Sequence, residues 1–124
     1  MTGHTQTGQF GLIILMLASL AGCASTPPPS AELSAAQSAV AQARAARAAD
    51  HAPVEFGFAE EKLQTAKQAL DQRQNERARS AAEQAQVDAE LALAKSRAAE
   101  ARARVKEKTE ANARLRRELL GDNR

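Results

Sequence analysis

The pattern of apolar and polar positions divides the chain into an apolar leader and an amphipathic body. Residues 10–22, FGLIILMLASLAG, contain no charged side chain, whereas from Ser30 onward apolar residues recur at intervals of three and four among charged ones. Such spacing is typical of helices with one buried face. The segment between the two parts ends in three prolines, which cannot continue a helix. The pattern predicts an all-α body.

Two helices are predicted in the first half of the body. The first covers about residues 30–50, with Ser30 as its N-cap, and the second covers about 53–72, with Pro53 as its first residue. Their apolar stripes are Leu33, Ala36, Val40 and Ala43 in the first helix, and Phe56, Ala59, Leu63, Ala66 and Leu70 in the second. The polar segment 71–75 predicts a tight turn that leads to a third helix, capped by Asn75 or a neighbour.

The third helix is predicted to be the longest, from about residue 76 to 120, with Gly121 as its stop and 121–124 as a tail. One heptad seam consists of Val87, Leu91, Ala94, Ala98, Ala101, Val105, Leu115 and Leu119, with Lys108 and Asn112 as polar interruptions. A second row consists of Ala78, Ala82, Ala85, Ala89 and Ala92. Two rows predict packing against the other helices, and the later single seam predicts an overhang or a partner. The fold class is therefore an alanine-rich helical hairpin or three-helix module with a long C-terminal helix of coiled-coil character.

Composition limits both the core and the partners. Only Phe56 and Phe58 supply aromatic rings to the body, and an alanine methyl buries little area, so we expect a thin core. Acidic and basic residues are well mixed at a formal net charge of +2, which does not indicate nucleic-acid binding. The polar interruptions of the seam predict that self-association is weak or absent.

The leader has the features of a secretory signal rather than a membrane span. About 13 apolar residues are too few to cross a bilayer as a helix, but they match a signal-peptide core. The sequence Leu20-Ala21-Gly22-Cys23 that follows resembles the lipobox of bacterial lipoproteins. The resemblance implies that residues 1–22 are removed by cleavage between Gly22 and Cys23, and that lipid is attached to the Cys23 thiol. No second cysteine is present for an intrachain disulfide.

A lipidated cysteine would anchor the body to a membrane. Residues 23–29 would then be the anchor and a semi-rigid proline-rich tether, with residues 30–120 as the helical domain. By analogy with Gram-negative lipoproteins, Ala24 in place of Asp implies export to the outer membrane, with the body facing the periplasm. We therefore expect the membrane to be a partner through the lipid on Cys23.

Two segments of the body resemble a known family. The first begins with His51-Ala52-Pro53-Val54-Glu55-Phe56, and the second runs from Ala78-Arg79-Ser80-Ala81-Ala82 to Asp88-Ala89-Glu90-Leu91-Ala92. Together they resemble domain-of-unknown-function family 4398 (DUF4398) over roughly residues 30–100. The resemblance implies a small α-helical protein, often an envelope lipoprotein, and implies no catalytic residues.

No pattern of residues indicates an enzyme, a cofactor site or a metal site. His51 is the only histidine after the leader, and a lone histidine between two helices is more typical of packing or capping. We expect a non-enzymatic outer-membrane lipoprotein that binds another envelope protein or a peptidoglycan-associated partner. The alternative is a structural lipoprotein that bridges the outer membrane and the cell wall as a helical oligomer. The C-terminal Arg124 argues against a covalent link, since the peptidoglycan-linked lipoprotein that it would resemble ends in lysine.

Overall fold

The computed structural model describes residues 26–121, which form four helices and no strand. They are α1 (Ser30–Ala45), α2 (Ala48–His51), α3 (Pro53–Asp71) and α4 (Asn75–Gly121). The all-α prediction is confirmed, with α4 as the long C-terminal helix. Pro53 is the first residue of α3, as predicted, since its missing N–H would have no helical partner there.

Helices α1 and α4 run parallel to each other. The Arg79 guanidinium contacts the Glu32 carboxylate at 2.8 Å near the start of both helices. The Ser96 hydroxyl, later in α4, donates to the carbonyl of Ala46, just beyond the end of α1. The second contact lies further along both helices than the first, so the two helices point in the same direction.

Helix α3 runs antiparallel to α4 and completes an up-down-up bundle. Lys62 of α3 contacts Asp88 of α4 at 2.5 Å, and Glu55, earlier in α3, contacts Lys95, later in α4. The short helix α2 packs against α3 and α4 at the end of the bundle where α1 finishes. We call this end the top of the bundle, and the end where α1 and α4 begin the base.

Alanine forms most of the surface where the helices meet. Nine alanines are completely buried and belong to one cluster: Ala36, Ala43, Ala48, Ala59, Ala66, Ala82, Ala85, Ala89 and Ala92. The larger buried side chains in this cluster are Val40, Phe56 and Leu63. Because a methyl group fills so little space, the backbones must approach closely to exclude water. The stripes predicted for the first two helices therefore form the core, except that Leu33 and Leu70 are only partly buried.

Only one of the two rows predicted on α4 packs against the other helices. The row from Ala78 to Ala92 is buried, whereas Val87 and Leu91 of the seam are 63% and 46% exposed. At 100° per residue, Val87 lies about 200° around the helix from Ala85 and therefore faces away from the bundle. The expectation that both rows pack is wrong, because the two rows lie on opposite sides of α4.

The first helix is interrupted, so its predicted span of about 30–50 is wrong. α1 ends at Ala45, and Arg47 takes a left-handed conformation with φ of 58° before α2 begins. This turn directs Ala48 and Ala52 into the core, where both are buried. The burial of these side chains compensates for the steric cost of the left-handed residue, about 1–2 kcal/mol.

The start of α1 also differs from the prediction. Ser30 is the first helical residue, and Pro29 precedes it without any side-chain cap. Pro29 is fully buried, and its carbonyl accepts a hydrogen bond from the Leu33 N–H at 3.0 Å. The last proline is therefore packed into the folded body.

The tight turn predicted between α3 and α4 is present. Gln74 donates its N–H to the Ala69 carbonyl at 2.8 Å, and Arg73 donates to Leu70 at 2.9 Å. These two bonds, with Arg73 at φ of 59°, form a Schellman motif that ends α3. The Asn75 side chain donates to the Thr26 carbonyl. It thereby joins the start of α4 to the first described residue.

Replacing Gly57 with alanine should stabilise the protein. Gly57 lies inside α3, and a β-carbon built there would have no neighbour within 4 Å. The substitution removes the helix penalty of glycine, so the free energy of unfolding should rise by about 1 kcal/mol. Urea denaturation followed by circular dichroism measures the change. Gly121→Ala, at the last residue of α4, is the control and should have little effect. A loss of stability in Gly57→Ala would contradict this packing.

Candidate interaction surface on the long helix

The last third of α4 extends beyond the bundle. From Ala101 to Gly121 every residue is exposed except Ala113, which is partly buried. We call residues 101–121 the arm. A helix of this length spans about 30 Å. Among the described residues, the arm is therefore a helix with no packing partner.

An apolar seam follows the outer side of α4 and continues along the arm. Its large members are all substantially exposed: Val87 at 63%, Leu91 at 46%, Val105 at 66%, Leu115 at 52% and Leu119 at 65%. We call these residues, with the intervening Ala94, Ala98 and Ala101, the outer seam. A row of aliphatic side chains at heptad spacing is the pattern by which one helix packs against another. The outer seam thus has the spacing and the exposure of a helix-docking surface.

Charge is distributed unequally between the bundle and the arm. Residues 26–100 contain nine basic and eleven acidic side chains, whereas the arm contains seven basic and only three acidic ones. Two arm contacts between opposite charges are long, Arg104 to Glu100 and Lys106 to Glu110, both at 3.9 Å and exposed. Such pairs contribute little to stability. The arm therefore presents an excess of positive charge to its surroundings.

The basic residues of the bundle have a different role, because several of them join helices. Lys95 donates to Glu55, and this hydrogen bond is the main reason that the pKa of the Glu55 carboxyl lies below its ordinary value. A lowered pKa means that the pair stabilises the fold above the ordinary pKa of glutamate, and that this contribution disappears as the pH falls through the lowered value. Four of the nine bundle cations therefore join helices, whereas the two ion pairs of arm cations described above lie along α4 itself.

The residues singled out for chemistry do not converge on a site. His51 is exposed at the end of α2. Within residues 26–121 no group of three histidine, cysteine or carboxylate side chains is placed to hold a metal ion. No helix in that range is long and apolar enough to span a membrane. The proposed cleavage and lipid-attachment residues, Gly22 and Cys23, lie outside the described residues.

The N-terminal end of the described chain lies at the opposite end of the molecule from the arm. Thr26 is hydrogen bonded to Asn75, the first residue of α4. Thr26 therefore lies at the base of α4, while the arm leaves from the top.

One polar contact at the top of the bundle was not foreseen from the sequence. Ser96 is completely buried and donates its hydroxyl to the Ala46 carbonyl, which the break between α1 and α2 leaves without a helical donor. The signal was available in the spacing: Ser96 continues the row of Ala85, Ala89 and Ala92 at the next helical interval. A serine in an alanine row can satisfy a backbone group where a methyl cannot.

One known family model matches more than half of the chain. The model of the family described as "Domain of unknown function (DUF4398)" matches residues 31–108. The chain belongs to the DUF4398 family. The matched range includes all four helices of the bundle except Ser30, the first residues of the arm and the outer seam from Val87 to Val105. A DUF4398 assignment supplies a family and no activity. Searches among curated proteins and among solved structures give no significant match.

Proposed function

We propose that this DUF4398 protein is a non-enzymatic lipoprotein of the Gram-negative outer membrane. In this proposal, lipid on Cys23 anchors the chain, and the helical body faces the periplasm and binds another envelope component. The arm and the outer seam are the surface that reaches this component. The protein acts as an adaptor, with the bundle as a rigid support.

Thr26, three residues after Cys23, lies at the base of α4, and this position is the observation that carries the proposal. An anchor on Cys23 attaches the molecule close to Asn75, and α4 then has 47 residues, or about 70 Å, over which to extend from that point. The N-terminal sequence supports the same arrangement, since the lipobox-like residues 20–23 follow an apolar run of signal-peptide length. With two or more acyl chains, such an anchor would hold stably in a bilayer.

A bridging helical oligomer remains the second candidate, favoured by the exposed outer seam. The charges beside that seam oppose it. Symmetric pairing of two copies would bring arginines against arginines across the seam. We therefore place the adaptor ahead of the oligomer.

Cys23→Ser tests the anchor. A hydroxyl does not replace the thiol as the acceptor of lipid, so we expect the variant to incorporate no labelled fatty acid in growing cells and to retain its leader. Ala24→Asp is the matched control, because it should keep the label and shift the protein toward the inner membrane. Equal labelling of wild type and Cys23→Ser would refute the proposal.

A further inference from the structure

We infer that the outer seam of α4 binds an amphipathic partner helix with acidic flanks, and that Arg97, Arg102 and Arg104 select it. The inference rests on the proposed adaptor function and specifies the chemistry of the partner. All three arginines are exposed and lie beside the middle of the outer seam.

The heptad register gives these arginines their role. With Leu91, Ala98 and Val105 at the a positions of the seam, Arg97 and Arg104 occupy g positions. Arg102 occupies an e position on the other flank. Side chains at e and g lie across the edge of a helix pair and determine which partner is accepted. Both edges of the outer seam are basic at its centre.

A second copy of this chain is a poor occupant for the same reason. In a parallel, in-register pair, Arg97 of one copy would face Arg102 of the other on both edges. In an antiparallel pair centred on the seam, Arg102 would face its own equivalent, and so would Arg104. Both symmetric arrangements place like charges together, which is unfavourable. These like-charge contacts disfavour self-pairing at the centre of the seam and favour acidic residues on the partner.

Two polar positions within the seam set further requirements for the partner helix. Lys108 occupies a d position and Asn112 an a position, and both are exposed. An asparagine at an a position fixes register most effectively when it meets another asparagine. A carboxylate opposite Lys108 would pair its charge, since an unpaired buried ammonium is strongly disfavoured. The partner helix is thus apolar at most seam positions, polar opposite these two, and acidic along both edges.

Two synthetic heptad peptides test the inference against the full chain purified in mild detergent. Both carry leucine and isoleucine at the seam positions and one asparagine to meet Asn112. One has glutamate at every e and g position, and the other has lysine. We expect the acidic peptide to bind roughly tenfold more tightly at low salt, with the difference decreasing as salt screens the charges. Equal binding, or no binding of the acidic peptide, would overturn the inference.

A charge-reversed variant locates the effect on the seam. The triple substitution R97E/R102E/R104E should reverse the preference toward the lysine peptide. The control K106E/R114E/R117E makes the same charge change on positions of the arm away from the seam and should keep the preference for the acidic peptide. Loss of preference in the control would mean that peptide binding depends only on the net charge of the protein, and would overturn the inference.

Tight wild-type homodimers in sedimentation, or binding to phosphatidylglycerol vesicles instead of peptide, would likewise overturn the inference. Because peptide binding does not depend on Cys23, a failure here is distinguishable from a failure of the lipid anchor.

Discussion

Replacing Phe56 with alanine is expected to lower the free energy of unfolding by about 3–5 kcal/mol. Phe56 is 6% exposed and is the largest side chain in a core that otherwise consists mainly of alanine. Arg44 also lies over its ring, 5.8 Å from the centroid. Small neighbours cannot move far enough to fill the resulting cavity. For a domain of this size, such a loss approaches the whole of its stability. Denaturation followed by helical circular dichroism measures it.

Phe58→Ala is the matched control for this experiment. Phe58 lies two residues later on the same helix and is 51% exposed, so the same substitution there should cost less than about 1 kcal/mol. A similar loss of stability in the two variants would contradict the orientation of α3.

The second large effect is expected from enlarging a buried alanine. Ala85 is completely buried in the core cluster that α4 forms with the other helices. A leucine at this position adds three carbon atoms where no space exists, so the helices must separate or the side chain must take a strained rotamer. We expect the free energy of unfolding to fall by about 1–3 kcal/mol. The loss should be near the upper end of this range, because separating the helices disrupts several close contacts at once. Thermal denaturation gives the measurement.

Ala41→Leu provides the comparison for the enlarged alanine. Ala41 is exposed on α1, and leucine is nearly as good a helix former as alanine. Its stability should remain close to wild type. If Ala85→Leu were tolerated equally well, the close alanine packing described for α4 would be wrong.

The helical pattern of the sequence was sufficient to predict much of this fold. Period alone identified the buried stripe of α3, because burial of a helix face repeats at three and four residues. Pro53 marked a helix start for a local reason, its fixed φ and missing donor. These features depend on neighbours in sequence, which a single chain displays directly.

The features that sequence reasoning missed depend on contacts between helices. Nothing near Arg47 signals a left-handed residue, since arginine is an unusual choice there and the gain comes from burying Ala48 and Ala52. Which of the two rows of α4 is buried also depends on contacts between helices. Valine and leucine are more hydrophobic than alanine, yet the alanine row is buried because it permits closer helix approach. The heptad spacing therefore identifies the outer seam but does not reveal that it faces solvent.

The exposure of that seam connects the fold to the proposed function. A row of aliphatic side chains facing solvent has no stabilising role in the bundle, and the part of it that continues along the arm lies far from Thr26. If the anchor is at Cys23, this arm part of the docking surface and the membrane lie at opposite ends of α4. An adaptor needs its docking surface to be away from the membrane. A helix that inserts into the membrane surface would instead lie along that surface.

Energy transfer from the protein to acceptor-labelled lipid headgroups tests this arrangement most directly. Once Cys23 carries lipid, a cysteine introduced as Glu76→Cys or Arg117→Cys provides the free thiol for a donor dye. The two positions are about 62 Å apart along α4. For the lipidated protein in vesicles, the account predicts strong transfer from position 76 and almost none from position 117. Equal transfer from both positions would show the arm lying on the membrane and would contradict it.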